Sequence, residues 1–218
     1  MPLPRAVTVF LVAAPPLLVG AVGLTHPIFL TPETAEQWRL GHLLLLPGFP
    51  LLAASLIVLL RGERGPAAWG ARLLAAGYAV LYGALDSIAG LGAPQQVLRA
   101  TERGEPAPPI GDLYEIGDRL GALGVYALMA AVVMTGGLLY ARNRSPLAVL
   151  GAVVAVVASY AFLRHHVFPP RGVLAMVGLA AGFTLLELSR RGAPDRGAPG
   201  RGAPDLGQRR SANSSPGP

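Results

Sequence analysis

Apolar residues run through this chain in long blocks. Six stretches, at 6–25, 40–60, 71–92, 118–140, 146–166 and 172–188, are almost free of charge. Each is close to the ~20 residues that a helix needs to cross a hydrocarbon core about 30 Å thick. The predicted fold is an all-α membrane protein, a bundle of six transmembrane helices spanning residues 1–189, with the lipid bilayer of the cell membrane as its first partner. The opening stretch follows a single basic residue, Arg5, as a signal peptide would. It has no convincing small-x-small cleavage site after its apolar run, so it is read as a retained first helix.

Small residues and prolines punctuate the blocks. Gly117-x-x-x-Gly121, Gly178-x-x-x-Gly182 and the row Gly77, Gly83, Gly90 predict close helix approach. Pro15-Pro16 falls mid-way along the first block, and Pro47 and Pro50 flank Gly48 in LLLLPGFPLL. Each proline frees the carbonyl four residues earlier, here Leu43 and Leu46. The outcome is either a plain kink or a discontinuous helix of the kind that lines transport sites.

The connections carry the charge. Arg61, Arg64 and Arg72 lie between the second and third blocks, Arg142 and Arg144 between the fourth and fifth, and Arg190 and Arg191 follow the sixth. Positive loops stay in the cytoplasm, which puts both termini inside. The longest loop, 93–117, is then external, and EPAPPIG within it predicts a mostly irregular excursion. Residues 190–218 repeat RGAPD, RGAPG, RGAPD and are predicted to be a disordered cytoplasmic tail whose arginines can rest on anionic lipid.

Composition adds exclusions. The chain is 52% hydrophobic and only 14% charged, too few polar residues to cover a water-facing surface. Its net charge of +6 comes from arginines that flank apolar blocks and form no patch with interleaved aromatics, so nucleic acid is not an expected partner. Cysteine is absent, which removes disulfides, thiolate nucleophiles and thiolate metal sites. Any metal has to be held by imidazole, carboxylate or backbone oxygen.

With this topology all four histidines, His26, His42, His165 and His166, and the acids Asp86 and Asp118 fall near the outer face, in a slab about 10–15 Å thick. Ionisable groups at membrane depth are costly and mark candidate sites. Tyr78, Tyr82 and Asp86 recur every fourth residue and share one helix face. Ser159 and His166 share another, with His165 rotated about 100° away. The candidates for ligand or proton handling are therefore Asp86, His42, His166, Tyr82 and Tyr78. As a metal site the natural ligands are His26, His42, Asp86 and His166, suited to zinc, copper or iron. Haem ranks below these, because its axial histidines would have to face each other at mid-depth. Asp118 has a simpler role as counter-charge to Arg119 at a helix start.

The chain, from GLTHP through HLLLLPGFPLL and LYGALD to RHHVFPPRGVLAMVGLAAGF, resembles small six-span integral membrane proteins of high-GC bacteria over most of residues 15–188. The resemblance implies six spans and no particular reaction. No P-loop, GxSxG, HExxH or HxxxH occurs within a span, and the seven spans and paired histidines of multi-helix metal-dependent membrane hydrolases are not reproduced. Three roles follow. The first is binding or transport of a small ligand or metal ion at the outer His/Asp site. The second is a membrane-embedded metal-dependent enzyme acting on a lipid-like substrate. The third is a structural or interaction subunit without chemistry. The missing motifs lean away from an enzyme.

Overall fold

The computed structural model describes residues 3–190. The predicted tail and its lipid contact lie outside them, Arg190 excepted. Seven α-helices follow in order: α1 (Arg5–Gly23), α2 (Ala35–Leu59), α3 (Pro66–Leu85), α4 (Ala93–Glu102), α5 (Gly111–Asn143), α6 (Pro146–His165) and α7 (Arg171–Ser189). A π-helical segment, Asp86–Gly92, joins α3 to α4 without a break, giving one 37-residue helix. No strand occurs among the described residues. Six of these helices are long and apolar enough to cross a membrane.

Each spanning helix packs on its neighbours in chain order, and α7 returns to α1. The result is a ring, α1–α2–α3–α5–α6–α7, with α2 also reaching across to α5 and α7. Small residues set the tightest seams. Gly117, Gly121 and Gly124 lay α5 against Ala89, Leu85 and the Tyr82 backbone, and Gly178 and Gly182 lay α7 against Ala158 and Ala155 of α6. Where lipid supplies no hydrophobic drive between helices, this close approach is what dispersion contacts need. The centre of the ring is filled by Phe49, Leu52, Tyr78, Leu128, Leu179 and Phe183, all fully buried.

One expectation needs correction, one pair of alternatives narrows and one acid is added. The 93–117 excursion is mostly helical: α4 continues the third span to Glu102, and α5 begins at Gly111. Ala93, Val97 and Ala100 give α4 a buried face, so only the proline-rich stretch between the two helices escapes helical pairing. Of the two outcomes open to the prolines, the discontinuous helix does not occur: α2 is one α-helix through Pro47 and Pro50 and α1 is one through Pro15 and Pro16. Packing of Leu45, Phe49, Leu52 and Leu56 into the core holds α2 together across both missing donors. Finally, Asp86 and Asp118 are not the only acids in the spans. Glu187 of α7 is buried at the far end of the bundle.

Glu187 anchors a polar lock there. Arg61 pairs with both of its oxygens, and Thr8 Oγ1 donates to Oε1 at 2.9 Å. Arg190 donates to the carbonyls of Leu59 and Arg61 at 2.6 Å each, and Arg142 reaches Glu63 at 2.7 Å. The lock ties α1, the α2–α3 connection, α5 and α7 together at the arginine-rich end, opposite the histidines.

Candidate metal centre

The end of α1 and the start of α2 place the first two imidazoles. His26 sits just beyond α1, and the loop that follows brings the chain back to α2, where His42 lies one turn after Trp38. Thr34 fixes that loop by donating to the Phe29 carbonyl at 2.7 Å, and Gln37 ties α2 to Thr25 by a bond of the same length. Across the ring, Asp86 opens the π-helical segment; such widened turns are rare and frequently mark functional sites. Gly90 then decides whether His42 can arrive. A Cβ there would collide with the His42 ring and lie 3.0 Å from Asp86 Oδ1.

The third imidazole comes from the end of α6. His165 is the last helical residue, and His166 caps the helix at a φ of +49°, a conformation that non-glycine residues adopt rarely and mostly where surrounding contacts enforce it. That turn brings the His166 ring to the cluster, while His165 is not among the converging nitrogens. Its centroid is 5.8 Å from that of His42, nearly parallel, and 6.0 Å from that of His26.

The hydrogen bonds form an ordered chain. His26 Nδ1–H donates to the Pro27 carbonyl at 2.7 Å. His42 Nδ1 and Asp86 Oδ1 share a hydrogen bond of 2.5 Å. His166 Nδ1 bonds the Tyr82 hydroxyl, also at 2.5 Å. Each imidazole thus has one nitrogen held by an oxygen, which leaves Nε2 as the free donor atom. His26 Nε2 and His42 Nε2 face each other at 3.0 Å. One ligating nitrogen from each of His26, His42 and His166 lies within 4.8 Å of the other two.

Electrostatics sharpen this arrangement. Asp86 is fully buried, His42 is its hydrogen-bond partner, and its second oxygen has none among the described residues. A buried carboxylate needs compensation from nearby positive charge. His26 is of no help as a cation, since burial pushes its pKa down to about 4, the nearby His42 adds to this, and only the Pro27 hydrogen bond opposes. An aromatic shell closes around the imidazoles: Trp38 and Phe168 stand edge-on to His26, with centroids 4.5 and 4.7 Å away. Phe49 lies 5.5 Å below His166.

Of the residues singled out from sequence, His26, His42, His166, Asp86 and Tyr82 come together here. Asp86 holds His42 from behind and stands outside the group of three converging nitrogens, so the four-ligand set becomes three imidazoles with a supporting carboxylate. Tyr78 is buried, with its ring 5.4 Å from that of Tyr82, but its hydroxyl has no partner among the described residues. Asp118 is exposed, and Arg119 pairs with Glu115 instead. Gly90, the Pro27 carbonyl and Phe168 were not anticipated. Gly90 continues the every-fourth-residue row Tyr78, Tyr82, Asp86, and that small residue on a polar face was its available signal.

Beside the imidazoles lies a cavity of about 530 Å³, bordered by α2, α3, α5 and α6. His42, His166 and Tyr82 form its polar end. No family model, curated protein or solved structure matches the chain.

Proposed function

We propose that this protein is a multi-pass membrane metalloprotein, in which His26, His42 and His166 hold one transition-metal ion at the outer end of the bundle, both termini being cytoplasmic. The observation that carries the reading is the 3.0 Å approach of His26 Nε2 to His42 Nε2 while both Nδ1 atoms are engaged by oxygens. Two Nε2 atoms this close share either a hydrogen or a metal ion. A proton would satisfy two nitrogens; a metal ion uses the third, which His166 supplies. Tetrahedral zinc with Zn–N bonds of about 2.0–2.1 Å sets its nitrogens about 3.3 Å apart, so small ring rotations bring this set to bonding geometry.

The surroundings fit the same reading. Metal-bound histidines usually donate their other N–H to a carboxylate or carbonyl, which fixes the tautomer and raises ligand basicity. Asp86 and Pro27 occupy those positions. Three protein ligands leave a fourth position open, as in sites that bind an exchangeable ligand, and the cavity adjoins two of the three imidazoles. Below them the ring is packed with Phe49, Leu52 and Tyr78, which favours a resident ion over one in transit. Arginines of two connections and of the end of α7 gather at the opposite end, which the positive-inside rule assigns to the cytoplasm.

Metal analysis of the purified wild type beside His42→Ala and Asp86→Asn tests the proposal. One equivalent per chain is expected in the wild type, a loss in His42→Ala, and weakened retention in Asp86→Asn. Equal and negligible metal in all three, after incubation with zinc or cobalt, would overturn it and leave the proton-bridged pair.

A further inference from the structure

The cavity beside the imidazoles is two-faced. Its inner end is polar, formed by His42, His166 and Tyr82, with Asp118 and His165 at the rim. Its walls are mostly apolar, with Leu85 and Ala89, Ala122 and Val125 of α5, and Phe162 and Leu163 of α6, while Arg164 adds a charged group beside Leu163. It lies in the gap between α5 and α6. These helices touch closely near their other ends, where Gly136 meets Ala152 and the Ala148 carbonyl, and both line the cavity toward the histidine end.

From Asp118 to Tyr126 the cavity follows two turns of α5, about 12 Å at 1.5 Å per residue. Tyr126 borders it and is 56% exposed on the outer surface of the ring, beside Leu123 at 57%. Residues exposed on the outside of the ring thus border the cavity, and on the six-span reading that flank of α5 faces lipid. One more polar atom adjoins it. Trp38, 5% exposed, borders the cavity, and its indole N–H has no partner among the described residues. A buried donor left without an acceptor is costly, and an oxygen of a bound molecule beside His42 would supply one.

A water-soluble ligand gains nothing from an apolar side passage. A lipid with two chains needs more width than one gap between two helices that converge again below it. From this we propose that the metal site, on the reading above, takes a single-chain amphiphile from the membrane. Its oxygen-donor head occupies the open metal position and accepts from Trp38 Nε1, and its chain lies between α5 and α6.

Hydroxamates are suitable probes, because a metal-binding head can carry a short or a long chain. Cobalt-loaded full-length protein in lipid nanodiscs is titrated with acetohydroxamate and octanohydroxamate, following the cobalt absorption bands. Ala122→Trp fills the passage from α5, and Leu163→Trp fills it from α6. In both variants cobalt content and acetohydroxamate affinity should match the wild type, while octanohydroxamate affinity falls about tenfold or more. Unchanged octanohydroxamate binding in a variant that keeps its cobalt would overturn the amphiphile inference and leave the metal centre standing. A wild type that takes up no cobalt overturns both. Loss of cobalt from both variants would show that the passage is not separable from the metal site, which also defeats the inference.

Discussion

Asp86 acts through His42. The carboxylate reaches Nδ1 of the imidazole and so decides which nitrogen faces the cluster and how strongly it donates. Asp86→Asn preserves shape but removes the charge, and metal affinity should fall about 10–100-fold, the usual cost of losing such a supporting partner. Competition with a chromophoric chelator measures this; an unchanged affinity would mean that Asp86 is an ordinary buried acid. Gly90 admits His42 to Asp86 by having no side chain. Gly90→Ala should displace the His42 ring and weaken metal binding to a similar degree, with helix content by circular dichroism unchanged. If Gly90→Ala binds metal as well as the wild type, the close approach of the two residues is not what positions the ligand.

The helices differ in how openly the sequence announces them. The six spans are legible because burying backbone in lipid demands about 20 apolar residues, and a run of that length has few rival readings. α4 was obscured because its face is amphipathic and the Pro/Gly-rich segment after it draws attention to turns. Pro47 and Pro50 left a discontinuous helix open because local donors are all that a sequence displays; the neighbours that hold α2 together are far along the chain. His166 was favoured over His165 by its helical register with Ser159, but its position comes from the positive-φ turn that ends α6. The meeting of His26 with His42 depends on the fold of a loop, and no periodicity encodes it. Glu187 was hidden near the end of the last span, where an acid passes for an interfacial residue. It is 4% exposed and bridges Thr8 and Arg61, so Glu187→Ala removes a tie between α1, α7 and the start of the α2–α3 connection. The expected loss is about 2 kcal/mol, less than the ~3–5 of a fully buried pair because Arg61 is 36% exposed. A lowered thermal unfolding midpoint with undiminished metal content would confirm that this end is structural. Loss of metal together with stability would instead couple the two ends.

At the scale of the molecule, one ring of helices has two unlike ends: an arginine lock that closes one, and three imidazoles with an open cavity at the other. The orientation of that ring is a separate claim with its own test. The chain contains no cysteine, so Arg103→Cys introduces a single label site between α4 and α5. A membrane-impermeant maleimide should modify it in intact cells, and labelling only after permeabilisation would place the histidine end in the cytoplasm. The central claim is the three-imidazole metal centre itself. X-ray absorption at the metal edge of the purified protein, loaded with one equivalent of zinc, tests it most directly. A first shell of three imidazole nitrogens at about 2.0–2.1 Å with one further light ligand is expected. A shell of oxygens alone, as for hydrated or adventitious zinc, would contradict it.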